Sequence, residues 1–557
     1  MRAASTLIAG LMATALPGGG ALAAPNRPDS SAALYLRARA AASLGDATAA
    51  SGDFAALLAR EPVDPLIAQR AYRQGILGGD AGLALRAARL LERQNALPPD
   101  GRLLLLIDAM RARNWVAARA QADLMEKDRL FAFLTPMLRA WIMVGARDGD
   151  PLPVLDKARA VALAATYLPE QRALLLIARG RVEEGVAALR TPGAGSLDRQ
   201  PTRVRLILAN ALAGSGQRDR AAALLTGDDP ALVDARARMA AGAGLNEPPG
   251  SPTDGVAALL INVAIDFGRQ RMAPVALTMA RFASFAAPDD GATWIMVADV
   301  LAAGRQRDLA LTALTNVKSD DPLAANARAM RISLLAQSDD KAAALGDALK
   351  AAQDGSAGPA GWARVGDVYM VLERPRDAAD AYGKALDSAR AASAPPEQRW
   401  PLLLQRADAL DRTGDWPGAR DALQQALALA PNQPLVLNQL GYSEITHREN
   451  IERASALIAR ASALRPDDAA ITDSLGWARY LQGNVADAVP LLEKAVVGNP
   501  VEPTINEHLG DAYWSSGRLF EARYAWRAAL VVADEEQDKA RLTAKIDGGL
   551  TPATASP

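Results

Sequence analysis

The chain contains no cysteine, which excludes disulfides, thiolate metal ligands and cysteine nucleophiles together. It has only two histidines, His447 and His508, far apart and without flanking ligands, so neither a metal nor a cofactor is expected. Aromatic residues make up 4% of a sequence that is half hydrophobic, while Ala and Leu recur throughout. That mixture disfavours sheets, which draw on aromatic and β-branched residues, and favours closely packed helices. Excess charge is missing as well, since 62 basic and 63 acidic residues leave a formal net charge of -1. Nucleic acid and anionic membranes then have no overall electrostatic claim on the chain, and a protein partner fits better. Also absent are a Gly-Lys phosphate loop, a Gly-x-Ser-x-Gly elbow and a His-Glu-x-x-His pair, so an enzyme is not expected. Only carboxylates brought together by folding leave an envelope hydrolase or transferase as an alternative.

What the chain does have begins with an address. Arg2 supplies a positive start, Leu7 to Leu16 a short apolar core, and Pro17 to Gly20 a break. Residues 1–23 therefore read as a cleavable export signal ending at Ala21-Leu22-Ala23. Cleavage one residue later would place Pro25 at the scissile bond, where its fixed ring fits poorly. The apolar core is too short to span a bilayer, and no later stretch reaches about 18 uninterrupted apolar residues. A periplasmic location without a membrane span is the expectation.

At 557 residues the chain exceeds a single core, which stops growing near about 250–300 residues, so it must be divided or elongated. A period resolves the choice. Gly476 and Gly510, Ala488 and Ala522, Ala495 and Ala529, and Pro466 and Pro500 are each 34 residues apart, with Pro431 standing 35 before Pro466. The extra residue falls in the turn Thr446 to Asn450. Within one unit, Leu475, Gly476 and Arg479 lie on a first helix (A), and Ala488, Leu492 and Ala495 line one face of a second (B). Small residues at the crossing permit close approach, and Pro500 stops helix B. This is the length and pattern of a tetratricopeptide (TPR) repeat. The same template finds Trp362, Gly366, Tyr369, Ala378, Tyr382 and Ala385; then Leu403, Leu410, Ala419, Leu423, Ala426 and Pro431. Further upstream it meets Trp294, Ala310, Leu314 and Pro322, with Ala276 and Pro288 one period earlier.

The fold expected is all-α: a right-handed α-solenoid of antiparallel helix pairs. Residues 24–245 read as divergent hairpins punctuated by turns such as Gly78-Gly79-Asp80, Arg113-Asn114-Trp115, Ala178-Arg179-Gly180 and Gly214-Ser215-Gly216. Residues 246–255, rich in Pro and Gly, read as a linker or long loop, followed by a TPR array over 256–533. The charged segment 534–547 reads as a capping helix, which repeat arrays need at their ends, and 548–557 as a disordered tail.

From Leu437 to about Leu550, the runs Leu437-Asn438-Gln439-Leu440-Gly441-Tyr442, Asp473-Ser474-Leu475-Gly476-Trp477 and Ile505 to Trp514 resemble the C-terminal repeats of exported proteobacterial TPR proteins. The resemblance spans about a fifth of the chain and implies a repeat fold and an envelope location.

In such a fold the A helices line the concave side, and exposed positions lie one residue after packing positions, about 100° round the helix. That shift selects Asn438 and Tyr442, then Asp473, Trp477 and Tyr480, then Glu507, Asp511 and Trp514, with Asp367 and Asp408 from earlier units. Tyr and Trp offer contact area at modest entropic cost, and carboxylates hold basic side chains. The stripe is acidic and aromatic, so its expected guest is a basic or amphipathic protein segment and not a terminal carboxylate. A competing reading puts Asp473 and Glu507 in their helices' first turns for the sake of the dipole, and Trp477, Tyr480 and Trp514 between neighbouring A helices. Trp294, Trp362 and Trp526 occupy packing positions. The expected function is an envelope scaffold for protein–protein interaction, with a chaperone-like holder of exported clients as the alternative. No oligomeric state follows from the sequence.

Overall fold

The computed structural model describes residues 30–556 except 62, 191–196, 228, 246–249 and 354–357. The signal segment 1–23, Asn246 to Pro249 of the Pro/Gly stretch and Pro557 lie outside the described residues. Within them the chain forms thirty α-helices joined by turns, with three short 3-10 segments and no strand. It divides into two units, one ending at Thr135 and one beginning at Pro136.

In the first unit, three hairpins pair Ser31–Ser43 with Ala47–Arg60, Pro65–Gly78 with Ala81–Arg93, and Gly101–Arg111 with Trp115–Asp128. Each second helix starts on a side chain that caps it. Asp46, Asp80 and Asn114 accept from the backbone N–H of Ala49, Leu83 and Ala117, satisfying donors the helix itself cannot. The hairpins lack the repeat signature but use the same close crossing, for a Cβ on Gly75 would stand 2.6 Å from the Ala84 backbone nitrogen.

In the second unit, the last four residues of the expected linker, 252–255, are helical and open the helix Pro252–Arg269. Ser251 and Asp254 form a capping box that starts the helix Pro252–Arg269. Hydrogen bonds tie this helix to Ala162–Ala178: Tyr167 donates to Asp266 at 2.8 Å and Asn262 to Glu170 at 2.9 Å. From there the backbone itself carries the period. A positive φ at the A-to-B turn recurs at Arg271, Arg305, Glu373, Gly414, Arg448, Gly483 and Gly517. Turns 482–484 and 516–518 have three residues between helices, whereas 447–450 has four, which absorbs the extra residue of the 35-residue step. Loops tolerate such an insertion because no packed face shifts register.

Where A carries glycine, atoms of the paired B helix fill the space a Cβ would need. A Cβ on Gly441 would lie 2.7 Å from Ile458, on Gly476 2.8 Å from Leu492, and on Gly510 2.3 Å from Trp526. Ala454, Ala488 and Ala522 on the facing B helices are fully buried. No helix among the described residues is long and apolar enough to cross a membrane.

Gly510→Ala forces a methyl into the fully buried Trp526 ring, whose indole nitrogen is already committed to Asp511 at 2.9 Å. It should cost about 1–3 kcal/mol. Gly346→Ala, in a helix interior with nothing within 4 Å of the new Cβ, should instead stabilise by about 0.5–1 kcal/mol. Urea unfolding of the two variants beside the parent separates these outcomes by sign.

Candidate protein-binding surface

Three A helices, Pro434–Thr446, Ala469–Leu481 and Pro503–Ser515, carry the eight expected contact residues, and the last helix, Glu536–Gly548, stands one period further on. Asn438, Asp473, Glu507 and Arg541 fall at equivalent places, as do Tyr442, Trp477, Asp511 and Lys545. The structure turns four of the eight inward. Asp473, Trp477, Glu507 and Asp511 keep 4%, 1%, 4% and 0% of their surface, whereas Asn438, Tyr442, Tyr480 and Trp514 are half-buried. The physical reason is that the chosen flank faces the neighbouring A helix and its side chains fill that seam.

At the last seam the filling is ionic. Arg541 donates two bonds of 2.8 Å to the two oxygens of Glu507, and Lys545 adds a third at 2.6 Å. Lys545, with no exposed side chain, also reaches both oxygens of Asp511 at 2.8 and 2.9 Å. Trp526 donates its indole N–H to Asp511 at 2.9 Å. Burial by itself would push the Glu507 carboxyl up, but the Arg541 hydrogen bonds and the Lys545 charge outweigh it and hold the group at about 2. Two carboxylates against two cations leave the seam balanced, which is what allows it to be dry.

At the preceding seam the filling is aromatic. His508 Nδ1 donates to both oxygens of Asp473 at 3.0 Å, and its ring stacks on Trp477 with centroids 4.0 Å apart. Tyr480 stacks on the other side of Trp477 at 4.7 Å, and its hydroxyl lies 3.0 Å from Ser515. Tyr442 tilts against His508 at 6.4 Å. Burial, then the charge of Asp473, pushes its phenol up to about 12, so the hydroxyl stays neutral and able to donate. Earlier in the array, Asp367 accepts from Tyr382 at 2.8 Å and Gln405 at 3.2 Å, and Asp408 faces Arg412 at 3.5 Å. Trp526 is fully buried, while Trp294 and Trp362 are half-buried, the latter beneath the Lys384 ammonium at 4.5 Å.

The tail expected to be disordered is folded onto the same face. Gly549, at φ 86, lies so close to Trp514 that a Cβ would meet the ring at 2.2 Å. Leu550 packs on the cluster around Trp526, and Ser556 donates from its hydroxyl (2.8 Å) and its backbone N–H (3.2 Å) to Asp511. Lys545 in turn donates to the Ser556 hydroxyl at 2.8 Å. Small polar residues do not by themselves predict order; here an unfilled acceptor and an aromatic face supply it. Four participants escaped the sequence reading: His508, Arg541, Lys545 and Ser556. Arg541 and Lys545 were detectable, being 34 residues after Glu507 and Asp511 with opposite charge.

Among known proteins, residues 440–503 and 474–538 match one tetratricopeptide repeat profile and residues 400–443 match another. A TPR repeat-containing protein of Pseudomonas aeruginosa is 34% identical over 110 residues, which span 20% of this chain and 18% of that protein. Among solved structures, Cut9 in the APC/C hetero-tetramer Cut9–Hcn1 is 14% identical over 94% of this chain and 96% of its own, at a TM-score of 0.38. Yeast Tom70 is 14% identical over 93% and 95%, at 0.37. A thermophilic TPR protein of Thermus thermophilus is 21% identical over 33% and 97%, at 0.29.

Lys545→Ala would leave Glu507 short of one partner and Asp511 without its cation, and should destabilise the C-terminal repeats by about 3–5 kcal/mol. Chemical denaturation followed by tryptophan fluorescence reads this directly, because Trp514 and Trp526 adjoin the seam. The pH dependence has a definite sign. Glu507 has a folded value near 2 against an ordinary 4.5, so its contribution is complete above about pH 4.5 and drains away as the pH falls towards 2. Glu507→Gln should flatten that part of the stability profile; an unchanged acid limb would show that Glu507 is not held ionised. The matched repeats imply a scaffold for protein–protein interaction, and residues 400–538 of this chain carry tetratricopeptide repeats.

Proposed function

We propose that the chain is a non-catalytic protein-binding scaffold of the cell envelope, exported to the periplasm by residues 1–23. Its A-helix face over Asn438, Tyr442, Asp473, Trp477, Tyr480, Glu507, Asp511 and Trp514 takes a basic or amphipathic segment of a partner. The half-buried members, Asn438, Tyr442, Tyr480 and Trp514, touch the guest. The buried ones hold those side chains in place. The observation that carries this reading is the cis arrangement at the last seam, where the acids Glu507 and Asp511 receive a helix through Arg541 and Lys545. A stripe that accepts a basic helix from its own chain has the chemistry to accept one from another.

The first test is a fluorescent amphipathic peptide of lysine and leucine, titrated into the full-length protein. Binding should weaken as salt rises, and Tyr442→Ala with Tyr480→Ala should weaken it roughly tenfold or more, the scale of an aromatic contact at an interface centre. Complete insensitivity to salt would count against an acidic face. Export is tested separately by fractionation and N-terminal sequencing: a periplasmic chain starting at Ala24 is expected, and an intact Met1 in the cytoplasm would sink that part alone.

A further inference from the structure

The N-terminal unit contains a cleft of the opposite polarity. It lies between the helices Ser31–Ser43 and Pro65–Gly78, with Phe54 of Ala47–Arg60 at its base, and has a volume of about 360 Å³. Arg39, Arg70 and Arg73 line it together with the apolar side chains of Leu66 and Leu77. No carboxylate lines it among the described residues.

The three guanidiniums are poorly served among the described residues. Arg39 reaches the Tyr35 hydroxyl at 3.5 Å, the outer limit of a hydrogen bond. Arg70 lies over the Tyr35 ring at 5.3 Å, and its Nε is buried without a hydrogen-bond partner. Arg73 feels the charge of Asp100, but that carboxylate already accepts the Tyr72 hydroxyl at 2.8 Å. Three other arginines of the same unit do have carboxylate partners: Arg37, Arg89 and Arg102 hold Asp53, Asp108 and Asp128 at 2.5 Å. Three like charges around one cleft repel each other, and a buried orphan donor costs free energy. The repulsion is relieved by a carboxylate from outside, which can reach the exposed Arg39 and Arg73.

We propose that this cleft binds an acidic segment of a partner protein. Side-chain carboxylates dock on Arg39, Arg70 and Arg73, whose planar forks suit them, while an apolar residue of the same segment lies on Leu66 and Leu77. Such a mixed lining selects a peptide that alternates acid and apolar residues. A nucleic-acid strand is disfavoured because it needs open aromatic faces for stacking, and here Tyr35 is covered by Arg70 and Phe54 is buried. The site is independent of the C-terminal face: its ligand has the other sign of charge.

The test uses the full-length protein and a short fluorescent peptide of alternating glutamate and leucine pairs, beside its glutamine counterpart. The glutamate peptide should bind in a salt-sensitive way, and the glutamine version should bind roughly tenfold more weakly or worse. Arg39→Glu with Arg73→Glu, both at exposed positions and checked for unchanged helicity, should cost roughly tenfold again. Arg70→Ala should act in the same direction with helicity by circular dichroism unchanged. Tyr442→Ala should leave this binding intact, which separates its failure from failure of the C-terminal reading. Absence of binding, equal affinity for the glutamine peptide, or indifference to the double reversal each overturns the proposal. So does tighter binding of a single-stranded oligonucleotide or of phosphatidylserine vesicles that is lost in the same variants.

Discussion

The close crossing of each helix pair is the constraint from which the rest of the array follows. Where A carries glycine, a large side chain of B fills the space a Cβ would need, Ile458 at Gly441, Leu492 at Gly476 and Trp526 at Gly510. Contact at that distance fixes the rotation of A about its own axis, because only one face can be that small. Rotation in turn decides which side chains point at the next A helix. The seam that holds Asp473, Glu507 and Asp511 is thus set from the opposite side of each A helix, and repetition of the crossing every 34 or 35 residues makes the seam a ladder.

A ladder of equivalent positions can hold charge only if neighbouring rungs alternate in sign or are desolvated by rings. Both solutions occur. Asp473 is met by His508 beneath the Trp477 ring, while Glu507 and Asp511 are met by Arg541 and Lys545. The second is the stricter, because Lys545 is wholly enclosed and tolerates no missing acceptor. On the helix that carries it, Leu542 and Lys545 face inward while Gln537, Thr543 and Asp547 face solvent.

Helix identity, pairing and the one-residue insertion were legible in the sequence because they rest on local facts: periodic Ala and Leu, glycine at crossings, proline after helix B. The N-terminal hairpins were legible only as helices and turns. Their crossings depend on residues such as Gly75, which packs on Ala84 but belongs to no repeated motif. At the candidate surface four of the eight chosen positions, Asp473, Trp477, Glu507 and Asp511, are enclosed where open groove was expected. A rotation of about 100° from the packing face is as compatible with a seam as with open groove, and the choice depends on the width of the neighbouring helix's side chains. The ordering of 549–556 was not legible at all, since it depends on the acceptor Asp511 and the face of Trp514, which lie 45 and 35 residues before Ser556 and Gly549.

The same ladder sets terms for any guest on the C-terminal face. An acidic rung that is empty would bind a cation readily; one already saturated by its own chain binds only what can displace the incumbent or extend from it. Glu507 and Asp511 are saturated, through bonds that include the Ser556 hydroxyl and N–H. A partner's basic group therefore gains little at those two acids unless the 549–556 segment lifts away, taking two of Asp511's donors with it. Tyr442 and Tyr480 differ, because their half-buried rings keep exposed edge and their hydroxyls stand at the margin of the seam. Contact area there and charge behind it are complementary resources: the aromatic rim supplies desolvation and the acids a field of fixed sign, and the field reaches a guest even where no direct ion pair forms.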